Sequence, residues 1–177
     1  LHQRDTHRLI GVLKRLRDLG NTVVVVEHDE ETIRSADYII DIGPKAGRQG
    51  GEVVYAGEYD RIDKDTPGYT AAYLTGREKI ELPRLRRPWN SYIEVREASK
   101  HNLKGVNVRF PLHVLTVVTG VSGSGKSTLV RDLFYEGVKR ILEGGSTQGL
   151  ACEGIVGDIK SVRDIQYVDQ NNFGRST

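Results

Sequence analysis

A glycine-rich loop between an apolar run and an amphipathic segment constrains this chain more than any other feature. The loop, residues 120–127, reads GVSGSGKS and satisfies the pattern G-x-x-x-x-G-K-[ST]. The apolar run before it, residues 114–120, predicts a buried strand, and residues 126–142 predict a helix. The apolar positions of that helix include Leu129, Leu133, Val138 and Leu142. A strand, a tight turn and a helix in this order indicate a protein of the α/β class.

The loop has the composition needed to hold the phosphates of a nucleotide. Glycines permit the positive φ angles and the close approach that let backbone N–H groups surround a triphosphate. Lys126 is predicted to reach the β- and γ-phosphates, Ser127 to ligate Mg²⁺ and Thr128 to contact the α-phosphate. ATP and Mg²⁺ are therefore the predicted cofactors. The predicted cofactor-binding residues are Gly120, Ser122, Gly123, Ser124, Gly125, Lys126, Ser127 and Thr128.

An earlier part of the chain predicts a second piece of α/β structure. Asp5 is the expected N-cap of a helix that runs to about Leu19. Residues 22–26, TVVVV, are typical of a strand buried on both faces of a parallel sheet. His28 follows that strand, at the edge where such sheets place their ligands, and is a candidate donor to a γ-phosphate. A short helix and strands are predicted next, over residues 30–35, 38–43 and 52–57.

Residues 63–90 predict a linker between the two α/β pieces. They contain three prolines and no sustained period, with room for one short helix. Their segment RLRRPW could contact a phosphate backbone, but a solvated connector is the preferred interpretation. The predicted domains are thus residues 1–62 and 91–177.

The second piece is predicted to combine antiparallel and buried strands. Residues 91–98 and 103–110 alternate as antiparallel strands do, and residues 143–154 are predicted to form a loop. Residues 165–170, IQYVDQ, predict a final strand. It ends at Gln170, which could reach Mg²⁺ or an attacking water.

These features together resemble the ABC ATPase family. In that family a P-loop, a glutamine loop and a histidine switch occur in this order. Residues 120–128 match the P-loop, Gln170 the glutamine loop and His28 the switch. The resemblance implies catalytic roles for His28 and Gln170, and Ser127 and Gln170 as Mg²⁺ ligands. Because the switch comes first here, His28 and Lys126 are assigned to different nucleotide domains. The expected fold is therefore α/β: two partial P-loop NTPase segments, with an antiparallel β portion, joined by a linker.

Several stretches further resemble the UvrA family, tandem ABC ATPases of bacterial nucleotide excision repair. They include LHQRD, VVEHDEETIRSADYIIDIGPKAGRQGGEVVYAG and HNLKGVNVRFP. The resemblance implies a dimeric parent protein that hydrolyses ATP, binds damaged DNA and loads UvrB. It also implies that the family's zinc-binding cysteines have no counterpart here, and that this piece alone is inactive as an ATPase.

Other protein classes remain open. Residues 171–173, Asn-Asn-Phe, depart from the family's usual sequence, so a UvrA-like paralogue protecting DNA against a bound drug is one alternative. A tandem ABC translation factor is another, although the segment between its halves is typically a long charged hairpin. A transporter subunit or a small-molecule kinase would account for the loop but not for the position of His28.

Composition limits the location of the protein. The single cysteine, Cys152, excludes internal disulfides and a cysteine-built zinc site, which fits a reducing cytoplasm. The net charge of +2 is too small to argue for nucleic acid by itself. The longest apolar runs are too short to cross a bilayer, so no membrane partner is expected. The chain has no methionine and begins abruptly, which predicts a piece of a longer protein.

Overall fold

The chain divides into two compact units. The structure is a computed structural model and describes residues 3–169. The first unit extends to Arg84 and the second begins at Leu85. Both combine helices with antiparallel strands.

The first unit contains three helices and a two-stranded sheet. Its elements are α1 (Gln3–Asp18), α2 (Glu30–Arg34), β1 (Tyr38–Gly43), β2 (Glu52–Glu58) and α3 (Tyr69–Leu74). Strands β1 and β2 pair antiparallel, with Ile40 opposite Ala56 and a register shift after Asp41. The predicted helices of this region are thus confirmed, as are the strands predicted over residues 38–43 and 52–57. Helix α1 begins at Gln3, however, so Asp5 lies in its first turn and is not the N-cap.

The strand predicted at residues 22–26 is wrong. These residues belong to no helix or strand, and the side chains of Val24 and Val26 are 87% and 96% exposed. A run of β-branched residues forms a buried strand only when neighbouring strands accept its backbone hydrogen bonds and cover both faces. Among the described residues, no strand pairs with this run.

Much of the predicted linker packs into the first unit. The expected short helix is confirmed as α3, where Ala71 and Ala72 are buried. Thr70 Oγ1 donates to Asp41 Oδ1 (3.0 Å), which ties α3 to β1. The turn before α3 is closed because the Thr66 hydroxyl donates to Asp63 Oδ1 (2.9 Å).

The second unit packs one long helical segment on a three-stranded sheet. The strands are β3 (Tyr92–Ala98), β4 (Val106–Pro111) and β5 (Gly154–Gly157), in the antiparallel order β4-β3-β5. The helical segment has π-type hydrogen bonding over Thr128–Tyr135 and continues as the α-helix α4 (Glu136–Leu142). Sequence analysis missed β5, whose first residue it assigned to a loop.

The hydrophobic core of the second unit lies between its sheet and the helical segment. Ile93 and Val95 face Leu133 and Val138, and these four are the largest fully buried side chains of the described residues. The rings of Phe110 and Phe134 stack with centroids 4.0 Å apart. The helix predicted over residues 126–142 is therefore confirmed, together with its apolar positions at Leu129, Leu133 and Val138.

Two further predicted strands are wrong. Residues 114–119 form no strand, and Leu115 is 93% exposed. Residues 165–169 also lie outside any strand, while Gln170 falls outside the described residues. Both runs, like residues 22–26, were expected to form buried strands, and no strand of the described residues pairs with them. The mixture of helices and antiparallel strands is thus confirmed, and the P-loop NTPase fold stays a prediction.

No helix of the described residues is both long enough and apolar enough to span a membrane.

Candidate functional site

The glycine-rich loop adopts a backbone that its glycines make possible. Gly120, Gly123 and Gly125 have φ angles of 143°, 79° and 101°, a region that L side chains rarely occupy. A tight turn lies between them, because Ser124 N donates to the carbonyl oxygen of Val121 (3.2 Å). The chain enters the helical segment directly afterwards, where Leu129 N donates to Gly125 O (2.9 Å). The loop therefore has the positive φ angles that a phosphate cradle requires.

The cation predicted to contact phosphates is folded into this loop. Lys126 Nζ donates to the carbonyl oxygens of Gly120 (2.7 Å) and Val121 (2.8 Å) and is partly buried. An ammonium group has three N–H donors, so one stays available for an anion. Two hydrogen bonds thus keep the ammonium group of Lys126 beside the backbone of the loop.

The other predicted cofactor-binding residues surround this lysine. Ser122, Gly123, Ser124 and Ser127 are exposed, and Thr128 is half-buried at the start of the helical segment. Ser127 has helical backbone angles and makes no capping hydrogen bond through its side chain. The structure therefore brings the eight predicted cofactor-binding residues together in one continuous loop and helix start. Their accessibility fits the binding of a nucleotide's phosphates.

Sequence analysis missed one residue at this site. Asn102, in the β3–β4 connection, donates from Nδ2 to the carbonyl oxygen of Gly123 (2.9 Å). An exposed polar residue in a loop has no periodic pattern, so no sequence signal identified this contact across 21 positions.

One ion pair, between Lys100 and Asp132, joins the helical segment to the same connection, and Arg131 flanks Asp132 within the segment. Lys100 Nζ lies 3.5 Å from Asp132 Oδ2, and Arg131 Nε lies 2.7 Å from Asp132 Oδ1. The hydrogen bond from Arg131 lowers the pKa of Asp132, so this carboxylate stays charged at neutral pH. These residues, with Tyr135, Arg140 and Tyr167, line a shallow cleft of mixed charge.

The two predicted catalytic residues, His28 and Gln170, lie elsewhere in the sequence. His28 is exposed in the first unit, directly before α2. Its neighbour Asp29 is the N-cap of α2, accepting at Oδ2 from Thr32 N (2.9 Å) and Thr32 Oγ1 (3.0 Å). Gln170 lies outside the described residues, so its predicted role with Mg²⁺ stays a prediction.

The described residues contain no group of three or more His, Cys, Asp or Glu side chains able to hold a metal ion. Of the two predicted Mg²⁺ ligands, Ser127 lies at the loop, and Gln170 lies outside the described residues. A nucleotide's own phosphates normally supply further oxygen ligands to Mg²⁺.

A glycine loop closed around a lysine, with a helix directly behind it, defines a candidate phosphate-binding protein. Comparison with known proteins is more specific. The chain is 49% identical over 177 residues to UvrABC system protein A of Clostridium perfringens, covering 99% of this chain and 19% of that protein. It is 51% identical to the protein of the same name from Methanothermobacter thermautotrophicus, covering 99% of this chain and 18% of that protein.

A solved structure agrees with these sequence relatives. The crystal structure of UvrA2 from Deinococcus radiodurans matches with a TM-score of 0.78 and 38% identity, over 92% of this chain and 19% of that one. No protein-family model matches the chain. The predicted resemblance to UvrA is confirmed, and the chain spans about one fifth of the length of these relatives.

Proposed function

We propose that this chain is a junction segment of a UvrA-type tandem ABC ATPase and supplies the phosphate loop of the protein's second ATP site. One observation carries the proposal: Lys126 is held within a loop of three positive-φ glycines, at the start of a helical segment. The chain is 49% identical over 177 residues to UvrABC system protein A of Clostridium perfringens, which gives the loop its family context.

Each residue of the loop has its own proposed contact with the nucleotide or with Mg²⁺. The backbone of residues 120–125 surrounds the phosphates, while Lys126 reaches the β- and γ-phosphates. The Ser127 hydroxyl ligates Mg²⁺, which supplies charge neutralisation at the phosphates when bound, and Thr128 contacts the α-phosphate. Gln170 is proposed as a second Mg²⁺ ligand. Lys126 Nζ uses two of its three N–H donors on the carbonyl oxygens of Gly120 and Val121, and the third can serve a phosphate.

His28 belongs to a different ATP site in this proposal. It precedes the phosphate loop in sequence and lies in the other unit, as expected if the first unit is the end of one ATPase half. We propose that residues 22–26 and 114–120 become strands when the rest of each half supplies neighbouring strands. Their exposure in this chain supports that idea.

The wider activity follows from the relatives and is likewise proposed. The whole protein hydrolyses ATP, binds damaged duplex DNA, dimerises and loads UvrB in the cytoplasm, with zinc bound outside this segment. A paralogue that protects DNA against a bound drug is the second candidate, since the structural match is to a protein called UvrA2. The higher identity to UvrABC system protein A favours the repair protein.

The test uses the longer protein that contains this segment. Its ATP turnover and its affinity for DNA with and without a lesion are measured in the unmodified form, in Lys126→Ala and in Lys139→Ala. Lys139 is an exposed lysine of α4, near Glu143 (4.0 Å), and is a matched control. The proposal expects the unmodified protein to bind damaged DNA more tightly than undamaged DNA. It also expects ATP turnover to be lost in Lys126→Ala and kept in Lys139→Ala. Unchanged turnover in Lys126→Ala, or equal affinity for both DNAs, would contradict it.

A further inference from the structure

We infer that Asn102 is a positioning residue for the phosphate loop, and that the β3–β4 connection (residues 99–105) is the support on which the loop rests. This inference deepens the proposed nucleotide site and depends on it. Three contacts made by the connection carry it.

The first contact is a direct hydrogen bond to the loop. Asn102 Nδ2 donates to the carbonyl oxygen of Gly123 (2.9 Å). Gly123 is exposed and has a φ angle of 79°, and no atom stands within 4 Å of the position of an added Cβ atom. Because packing does not hold Gly123 on that side, the hydrogen bond from Asn102 fixes the peptide that follows it.

The second contact is at the next glycine of the loop. A Cβ atom added to Gly125 would lie 3.0 Å from Asn102 Oδ1 and 3.0 Å from Leu103 Cδ2. Asn102 therefore bonds to the loop at Gly123 and leaves no room for a side chain at Gly125, and the N–H groups of both glycines are expected to face phosphate. A side chain placed in this way controls the direction of the loop's peptide planes.

The third contact anchors the connection itself. Leu103 packs against the hydrophobic core of the second unit, and Leu103 N donates to the carbonyl oxygen of Lys100 (3.1 Å). Lys100 pairs with Asp132 on the helical segment (3.5 Å). Between them, His101 has a φ angle of 55°, an unfavourable value for a residue with a side chain. The surrounding contacts hold this turn, and the turn points Asn102 at the loop.

A preorganised loop binds phosphate more tightly than a loop that must be ordered on binding, because the ordering cost is already met in the free protein. Removing Asn102 should therefore weaken nucleotide binding without unfolding the unit. Since Asn102 is exposed and forms one hydrogen bond between neutral groups, the expected loss of affinity is about threefold to tenfold.

The experiment measures Mg-ATP affinity by calorimetry in the 177-residue chain. Asn102→Leu removes the amide at nearly constant size, and Asn102→Gln keeps a donor on a longer side chain. Asn107→Leu is the matched control, because Asn107 also bonds to a backbone group, accepting from Glu97 N (2.9 Å), but contacts β3 instead of the loop. Lys126→Ala reports on the nucleotide site as a whole.

The inference expects weaker binding in Asn102→Leu, partial recovery in Asn102→Gln and no change in Asn107→Leu. Amide hydrogen exchange in the nucleotide-free chain gives an independent result: residues 122–126 should exchange faster in Asn102→Leu, while the core strands keep their protection. The inference is overturned if Asn102→Leu keeps the wild-type affinity for Mg-ATP and an unchanged rate of amide exchange in the loop, while Lys126→Ala still weakens binding. Binding that is insensitive to Lys126→Ala would instead contradict the proposed function.

Discussion

The ammonium group of Lys126 lies 2.7 Å from the carbonyl oxygen of Gly120, so the cation at the end of the loop closes back on the residue at its beginning. Hydrogen bonds within the protein therefore close the loop, and a further hydrogen bond from Asn102 Nδ2 to the carbonyl oxygen of Gly123 supports it. A ligand phosphate would meet a loop already folded, with a cation beside it. This arrangement sets the expectations that follow.

Replacing Gly125 by alanine should destabilise the second unit by roughly 1–2 kcal/mol. The φ angle of Gly125 is 101°, and the added Cβ atom would stand only 3.0 Å from two atoms of Asn102 and Leu103. Gly154→Ala is the control, since its Cβ atom would meet nothing within 4 Å. Chemical denaturation of both variants tests this. Equal free energies of unfolding would show that the backbone at Gly125 needs no glycine.

Replacing Leu133 by alanine should cost about 2–5 kcal/mol of unfolding free energy, because a fully buried side chain leaves a cavity. Leu133 is 0% exposed in the core of the second unit. By contrast, Val26→Asn should change stability by no more than about 0.5 kcal/mol, as expected for an exposed position. Denaturation curves for the two variants provide the comparison. A large loss in Val26→Asn would mean that residues 22–26 form a buried strand in solution.

The carboxyl group of Asp29 should titrate below its ordinary range. Hydrogen bonds from Thr32 N and Thr32 Oγ1 favour the carboxylate and lower the pKa of Asp29. The pKa of Asp29 is lower in the folded state than in the unfolded state, where it is near 4. The ionised cap therefore stabilises α2 fully at pH values above the unfolded pKa. This stabilisation is lost as the pH falls through the folded pKa. A ¹³C NMR titration of the Asp29 carboxyl carbon measures this directly.

The matched variant for that titration is Thr32→Val, which removes the hydroxyl and keeps the backbone N–H. Its Asp29 carboxyl should titrate at a higher pH than in the unmodified chain. An identical midpoint in both proteins would show that the hydroxyl contributes nothing to the cap.

Local elements were predictable from the sequence because their signals are local. The periodic spacing of Leu129, Leu133 and Val138 predicts the helix that buries them, and alternation predicts β3 and β4. The loop residues around Lys126 were predictable as a motif. Each of these elements can form from interactions within its own segment or with its neighbour along the chain.

The strands that were wrong depend on partners instead. Val24 and Leu115 lie in apolar runs that need adjacent strands on either side, and no described strand supplies them. The missed strand β5 contains only four residues, two of them glycines, and it pairs with β3 from far along the chain. Asn102 was missed for the same reason, because its contact with Gly123 depends on folding and not on local sequence.

The 177-residue chain alone should not turn over ATP. In the ABC arrangement that we propose, hydrolysis needs an acidic Walker B strand and a signature helix, and neither motif is present in this sequence. The loop can bind phosphates, but positioning a water and stabilising the developing charge need those other groups. Phosphate release by the purified chain measures this. Turnover that Lys126→Ala abolishes would show that one chain contains a complete site.

The most direct test of the account is the affinity of this chain for Mg-ATP, measured by calorimetry in the unmodified, Lys126→Ala and Lys139→Ala forms. If residues 120–128 are a nucleotide phosphate loop, Lys126→Ala weakens binding at least about tenfold, because a hydrogen bond to a charged group is lost. Lys139→Ala should keep the unmodified affinity. Equal binding by the unmodified and Lys126→Ala chains, or no binding by either, would contradict the account.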